Sequence, residues 1–453
     1  MAVPGGNGTE VSRRRGKWNV WSILEPEAFF PRLNYSLRSG GRSAGLIVLQ
    51  IANFRRLRGS MGDMPSRQVM EEVLTRLTAL SVASVSGQRP LTLVISRVAQ
   101  DEIALLVQGV AGSGDVSAIA EDAAAALAAP VTVACHVVGL DLSIGAVGPA
   151  EVHTAEDLMR LAHIALEDAR LSGGVASYRP EMLASAGEKL ALETSLRHAL
   201  SYDTELYLLY QPQVSFKTGR IESVEALVRW DHPGMGLTLP GRFISFAEER
   251  GMGLAICDWV MTHACRQMQD WQGQGLGHLG MSINLSSDGL EIERIAARLG
   301  TILAETGARA DLLELEITER FTMDDPQRSI SAFERLRALG VTLALDDFGT
   351  GYSSLTQLQQ LPVNRLKIDR SFVSRLEEGG QHTALVNGII GLAHGLGMTV
   401  VAEGVETEDQ WHILADLGCD SFQGFFFAEP MRADDLAHRI TATSSTSAFP
   451  SKQ

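Results

Sequence analysis

Thr342-Leu343-Ala344-Leu345-Asp346-Asp347-Phe348-Gly349-Thr350-Gly351 is an apolar, strand-like run that stops on two acids and leaves through two glycines. Six other segments in the second half of the chain end alike, on a metal-loving or charged side chain, usually with a helix-like stretch following. Their ends are Glu225, Asn284, Glu316, Lys367, Glu403 and Gln423. In a barrel of parallel strands with outer helices, the C-terminal strand ends converge on one face, and chemistry sits there. Groups scattered along the chain would therefore meet in one pocket. Carboxylates from Glu225, Glu316, Asp346, Asp347 and Glu403 cannot all stay charged there without cations. The pattern points to a metal-dependent enzyme.

Working outward, residues 205–440 read as a long β/α alternation. The expected strands are Leu206–Val214, Ile221–Val228, Met281–Leu285, Leu312–Ile317, Thr342–Leu345, Arg365–Ile368, Thr399–Ala402 and Ser421–Phe426. Only the turn Phe216-Lys217-Thr218-Gly219-Arg220 joins the first two. So short a link cannot make a parallel crossover, so that pair should be antiparallel. The expected fold is α/β: a modified TIM-type (β/α)8 barrel with an antiparallel first strand pair. Upstream, residues 41–180 mix strands (Gly45–Ile51, Leu91–Ser96, Ile103–Gln108, Leu140–Ala146) with helices (Pro65–Leu80, Val116–Ala129, Ala155–Leu171), as in a compact α/β or α+β domain. Residues 181–204 read as a connecting helix, with Leu192, Leu196, Ala199 and Leu200 at helical spacing. Residues 1–40 read as an irregular leader and 441–453, rich in Ser and Thr, as a disordered tail.

Bulk properties narrow the function. At 453 residues, 45% apolar and 21% charged, the chain is ordinary globular protein of more than one domain. Its net charge of −15 disfavours general binding to duplex nucleic acid or an anionic membrane. A small phosphate ligand held by metals and local Arg and Lys remains compatible with it. Cys135, Cys257, Cys265 and Cys419 show no zinc spacing and read as reduced, buried thiols of a cytosolic protein. No apolar run is long enough for a transmembrane segment. The basic leader (Arg13, Arg14, Arg15, Lys17) lacks a signal-peptide core, and the aromatics after it read as packing onto their own domain rather than as a docking arm.

The strand ends have specific chemistry. One of Asp346 and Asp347 could bridge two cations and the other bind the second, the glycines that follow allowing both to aim at one site. Two cations about 3.5–4 Å apart clamp a phosphodiester for in-line attack. An acidic turn capping a helix at Ser353–Gln360 is the plainer alternative. Glu316 shares strand parity with Glu314 and reads as a ligand, a solvated acid leading into the helix after Pro326 being the alternative for it and for Glu319. Glu319, past the strand end, suits loop support. Asn284, after Ile283 in a core-like strand, needs a partner that a hard cation would supply; a turn-forming Asn is the alternative. Lys367 in a buried strand needs pairing, either with the site, to handle water or phosphate, or locally with Asp369 or another nearby acid. Glu403 could bind metal and accept the proton of water. Glu406 suits a helix N-terminus, and Arg229 a phosphate contact or a surface ion pair. Oxygen ligands without clustered His or Cys point to Mg²⁺ or Mn²⁺ rather than zinc.

These segments closely resemble the EAL-domain phosphodiesterases, which hydrolyse cyclic di-GMP to linear pGpG. The likeness spans about residues 190–436 and includes Tyr210-Gln211-Pro212, EALVRW at 225–230, Pro240 with FI at 243–244, AE at 247–248, NLS at 284–286, ELEITE at 314–319, DDFGTGYSSL at 346–355, KIDRSF at 367–372, AEGVE at 402–406 and QGF at 423–425. The resemblance implies two metal ions. Glu225, Asn284, Glu316 and Asp346 would hold the first, and Asp346, Asp347 and Glu403 the second. It makes Glu403 the general base, Lys367 the holder of the nucleophilic water, Glu319 the support of the loop after Asp347, and Gln211, Arg229 and Gln423 substrate contacts. Departures at FISFAEE (243–249) and SSDGLE (286–291) lie off the implied metal ligands. A catalytically silent cyclic-di-GMP receptor or scaffold is the alternative function.

The first domain resembles a GGDEF diguanylate cyclase in degraded form. Ala99-Gln100-Asp101-Glu102-Ile103 stands at the signature, and Gln50 and Ala52 stand where the family's acids are expected. Arg58 and Arg67 replace its guanine-reading Asn and Asp. SIG at 143–145 and the closing helix Ala155–Gly173 are kept, and no RxxD inhibitory motif precedes the signature. The expectation is no cyclase activity, with the domain serving as a regulatory or docking module toward a protein partner. The resemblance further implies a homodimer through the barrel, in a bacterial cytoplasm.

Overall fold

A computed structural model describes residues 20–40, 44–80, 91–133, 136–149, 154–285, 292–318, 326–349 and 355–443. The chain divides into two units, residues 1–191 and 192–453. The division falls within the helix Pro180–Tyr202.

The first unit is built on a six-stranded sheet. Its strands are β1 (Val20–Leu24), β2 (Ala44–Ile51), β3 (Thr92–Arg97), β4 (Glu102–Gln108), β7 (Leu142–Val147) and β8 (Gly174–Ser177), in the order β1-β3-β4-β2-β7-β8. A separate hairpin joins β5 (Val131–Val133) to β6 (His136–Val138). Strand β2 sits mid-sheet, so a nearly unbroken apolar run suits it. Leu46 and Val48 pack with Phe29 and Leu33 of helix Pro26–Gly40 and with Leu158 and Leu166 of helix Ala155–Ser172. Ile47, Leu49 and Ile51 pack with Met70 and Val73 of helix Asp63–Thr78 and with Val116 and Ile119 of helix Ser113–Leu127.

Two expectations need correction here. Residues 20–40 are no irregular leader: β1 pairs in parallel with β3, and the helix Pro26–Gly40 buries Phe29 completely. The leader's basic residues lie outside the described residues. At the other end, helix Ala433–Thr443 carries Thr441–Thr443, so the tail expected from 441 is helical up to 443. The rest of it lies outside the described residues.

The second unit is a closed barrel. Its staves are β9 (Leu206–Ser215), β10 (Ile221–His232), β12 (Gly280–Leu285), β13 (Leu313–Thr318), β14 (Thr342–Phe348), β15 (Arg365–Ile368), β16 (Thr399–Glu403) and β17 (Ser421–Gln423). They run β10-β12-β13-β14-β15-β16-β17-β9, and β9 pairs again with β10 to close the ring. Strand β9 is antiparallel to both neighbours, and the other joints of the ring are parallel. A short addition, β11 (Gly236–Thr238), folds back on the end of β10. Outward residues of the staves (Val224, Ala226, Val228 and Trp230 on β10; Leu315 and Ile317 on β13; Leu366 and Ile368 on β15) join one apolar layer with the surrounding helices. The alternate residues point inward. Cys257, Cys265 and Cys419 are buried, while Cys135 lies outside the described residues. Among the described residues, no helix is long and apolar enough to cross a membrane.

In the first unit, Gln50 Nε2 donates to Asp101 Oδ2 (3.1 Å) and Glu102 Oε1 (3.4 Å). The other Glu102 oxygen lies 3.1 Å from His163 Nε2, while His163 Nδ1 lies 3.0 Å from the carbonyl of Met159. Both ring nitrogens thus face acceptors only, and the imidazolium alone satisfies both. The hydrogen bond to Glu102 raises the His163 pKa above its ordinary 6.5 against the opposing effect of burial. Because the folded value is the higher, the pair's stabilisation is full below the unfolded value and is lost as pH rises through the folded value. Hydrogen exchange of helix Ala155–Ser172 should therefore accelerate as pH rises above about 6.5, beyond the intrinsic rate change, and a His163→Gln variant should lose that extra dependence.

Candidate active site

The C-terminal ends of the parallel staves bring Glu225, Glu316, Asp346, Lys367 and Glu403 to one place. Lys367, on β15, is 1% exposed. Its Nζ lies 2.6 Å from Glu316 Oε2, 2.6 Å from Glu403 Oε1, 3.4 Å from Asp346 Oδ1 and 3.9 Å from Glu225 Oε2. Carboxylates from β10, β13, β14 and β16 thus surround one ammonium. The local alternative, a pair with Asp369, is not what the chain adopts: Asp369 Oδ1 accepts from the amide of Ser371 and caps a short helix. Burial opposes the Lys367 charge, but Glu225, Glu316, Glu403 and Asp346 together outweigh it and hold the pKa well above the ordinary lysine value. Burial pushes Glu403 up to about 8, with Asp346 and Glu225 adding to the rise and Lys367 opposing it. Glu316 is also raised, first by burial.

Glu225 is held by amides. Asn284 Nδ2 donates to its Oε1 at 2.6 Å, and Gln423 Nε2 donates to its Oε2 at 2.5 Å. The same Gln423 nitrogen donates to Gln211 Oε1 (2.9 Å), and Gln211 Nε2 donates to the carbonyl of Ala428 (3.2 Å). Gln211 and Gln423 are buried and engaged with the Glu225 wall. Asn284 spends its donor on Glu225, which leaves its oxygen as the group available to a cation.

Asp347 departs from regular strand. It takes φ +55°, rare for a residue with a side chain, and Gly349 follows at +96°. Its amide donates to Asp346 Oδ1 at 3.0 Å. Asp346 therefore points into the cluster while Asp347 is exposed beside it. Strain of this kind gathers at functional sites. Gly404 has φ +66°, and a Cβ there would lie 2.3 Å from Arg370 Cγ; Arg370 in turn pairs with Glu406 at 2.6 Å. Glu406 thus belongs to the rim rather than to the carboxylate cluster. Arg229 lies further along the inward side of β10, opposite Tyr207, with its pKa lowered by burial. Glu319, Thr350 and Gly351 lie outside the described residues.

Several polar residues inside the barrel escaped the sequence reading: Gln213, Ser223, Ser282 and Arg365. Each lies two residues from a site residue on its own strand, and so on the same inward side. That spacing of two was the one signal that could have revealed them.

The donors fit a hard divalent cation. Glu316 Oε1 is buried without a hydrogen-bond partner, while Oε2 meets the Lys367 ammonium at 2.6 Å. An unmet carboxylate oxygen beside further carboxylates and an amide oxygen suits a hard divalent cation. Among the described residues, no group of three or more His, Cys, Asp or Glu is already spaced as a metal cage.

Comparison with known proteins agrees with this architecture. Residues 193–430 match the EAL domain family, and residues 27–175 match the family of the diguanylate cyclase GGDEF domain. The chain belongs to the EAL-domain family and carries a GGDEF domain ahead of its barrel. It is similar to MucR of Pseudomonas aeruginosa, a bifunctional diguanylate cyclase/cyclic di-GMP phosphodiesterase, with 35% identity over 87% of this chain and 57% of MucR. The cyclic di-GMP phosphodiesterase NbdA of the same organism is 32% identical over 89% of this chain and 51% of NbdA. The chain thus spans little more than half the length of these curated relatives. The solved MucR phosphodiesterase in complex with c-di-GMP is 41% identical, with a TM-score of 0.52 over 54% of this chain and 99% of that one.

Replacing Lys367 leaves carboxylates buried without their cation. Removing one partner of a buried ion pair costs about 3–5 kcal/mol. Urea unfolding of Lys367→Met near neutral pH, without divalent metal, should show a loss of that order, and mild acid should recover part of it as the acids protonate.

Proposed function

We propose that the barrel hydrolyses cyclic di-GMP to linear pGpG. The observation that carries this reading is the convergence of Glu225, Glu316, Asp346 and Glu403 on Lys367 at the strand ends, with Glu316 Oε1 buried and without a hydrogen-bond partner. Similarity to MucR and NbdA supports the substrate. In this reading, Glu225, Asn284, Glu316 and Asp346 hold one Mg²⁺ or Mn²⁺, and Asp346, Asp347 and Glu403 hold the second. When bound, such a pair lowers the pKa of water and neutralises charge on the phosphoryl group.

The chain's own residues do the rest. Glu403 accepts the proton of the attacking water; its affinity for a proton, raised by burial, suits a base working near neutral pH. Lys367, held protonated between Glu316 and Glu403, orients that water. The water oxygen bonds to phosphorus as the bond to one ribose 3′-oxygen breaks, and that oxygen takes up a proton. Arg229 meets a phosphate, Gln211 and Gln423 face the substrate from the Glu225 wall, and Glu319 supports the loop after Asp347.

The first unit, in this proposal, is a regulatory module without cyclase activity that meets a protein partner. The amide of Gln50 already faces Asp101 and Glu102, supplying a donor where a cyclase would need cations. The barrels pair as a homodimer, and the protein works in the bacterial cytoplasm. A second reading, a receptor that binds cyclic di-GMP without turnover, draws on one observation: the Lys367 ammonium sits at the centre of the carboxylates.

Purified protein with Mg²⁺ or Mn²⁺ should convert cyclic di-GMP to pGpG. Chelation should abolish this, and Glu403→Gln should lower kcat by about 10²–10⁴-fold. Glu225→Ala should remove product altogether. Tight binding with no product under either metal would establish the receptor instead, and conversion of GTP to cyclic di-GMP would refute the silent first unit.

A further inference from the structure

An amide can meet a carboxylate from either end. Its nitrogen donates, and its oxygen repels. Gln423 presents nitrogen to Glu225, and the side chains one inward position deeper in the barrel explain why. Arg365 Nη1 donates to Glu314 Oε1 at 3.2 Å and reaches Gln213 Oε1 at 3.5 Å. Ser282 Oγ donates to the same Glu314 oxygen at 3.0 Å, and Ser223 Oγ donates to Gln213 Oε1 at 2.6 Å. A guanidinium has no acceptor. Gln213 must therefore turn its oxygen toward Arg365 and its nitrogen the other way, onto Gln423 Oε1 at 3.0 Å. That acceptance commits the Gln423 nitrogen to Glu225 Oε2 and Gln211 Oε1. Gln213, Glu314 and Gln423 are 1%, 6% and 5% exposed, so water offers them little alternative.

We infer that Arg365 and Gln213 are positioning residues: they set the direction of a chain of amides that ends by donating to Glu225 and holds its carboxylate in place. The polarity starts at the guanidinium, which cannot be reversed, and each amide passes it on. An amide flip anywhere along the chain would oppose two oxygens in a buried space, which is costly. The consequence for metal rests on the reading of Glu225 as a ligand. Partners behind a ligand typically change metal affinity or activity about 10–100-fold when removed.

The test reads the relay and the metal separately, on the full chain. In the metal-free protein, the side-chain amide protons of Gln423 should be protected from exchange. Gln213→Met, which neither accepts from Arg365 nor donates onward, should remove that protection. Gln213→Glu, which accepts from Arg365 but has no proton to pass on when ionised, should remove it too. Arg365→Lys keeps a donor-only cation and should retain most of it. Electron paramagnetic resonance of free Mn²⁺ should then show affinity weakened about 10–100-fold in both Gln213 variants, with kcat falling more than KM rises. Full Gln423 protection in a folded Gln213→Met protein overturns the inference. Lost protection with unchanged Mn²⁺ affinity overturns its link to Glu225. A wild-type protein that binds no Mn²⁺ would instead sink the metal reading, while the exchange data still decide the relay.

Discussion

A single ammonium, buried at one end of a barrel and ringed by acids from separate strands, is the constraint that organises the second unit. Lys367 is among the largest fully buried side chains, and a buried charge is tolerable only when paired. Glu316 and Glu403 reach it from β13 and β16, and Asp346 from β14, so β13 to β16 must each present the right residue inward at the right height. A slip of one residue would turn the acid outward into the apolar layer beneath the helices. The ion cluster thus fixes register as well as charge. It also accounts for the raised proton affinities of Glu316 and Glu403, which are largely buried among more acids than cations.

Barrel interiors of this architecture are commonly filled by branched apolar side chains in layers. Here Ala344 and Val401 keep that character, while Gln213, Ser223, Ser282, Glu314 and Arg365 replace it with polar groups. Packing alone would not orient an amide, whose two ends have nearly the same shape. Donor and acceptor matching does, and inside a protein it does so strongly because a mismatch cannot be repaired by water. The first unit solves a related problem more locally. Asp101 and Glu102 keep their carboxylates beside a sheet, and an amide from Gln50 and the ring of His163 meet them directly.

Much of this could be read from residue order because strand ends carry a local signature. Apolar runs that stop at Glu316, Asp346 or Glu403 located staves and candidate ligands together. The five-residue link after Ser215 demanded the antiparallel joint seen between β9 and β10. Other features had no local signature. Val20–Leu24 is a strand because β3, far along the chain, offers it an edge. Asp347 takes the left-handed backbone itself, together with Gly349, one of the glycines expected to let both carboxylates aim at one site. Gln213 and Arg365 look like ordinary polar residues until the ring closes and brings them together.

Residue order alone therefore determined the kind of fold, the parity of the staves and the oxygen-rich chemistry of their ends, because periodicity and turn length are properties of neighbours in the chain. The tertiary structure alone decided which acids share Lys367, which way the amide of Gln423 points and that Asp101 and Glu102 face Gln50 and His163. Those outcomes depend on distances between strands remote in sequence, and on a buried setting in which every donor must find its acceptor.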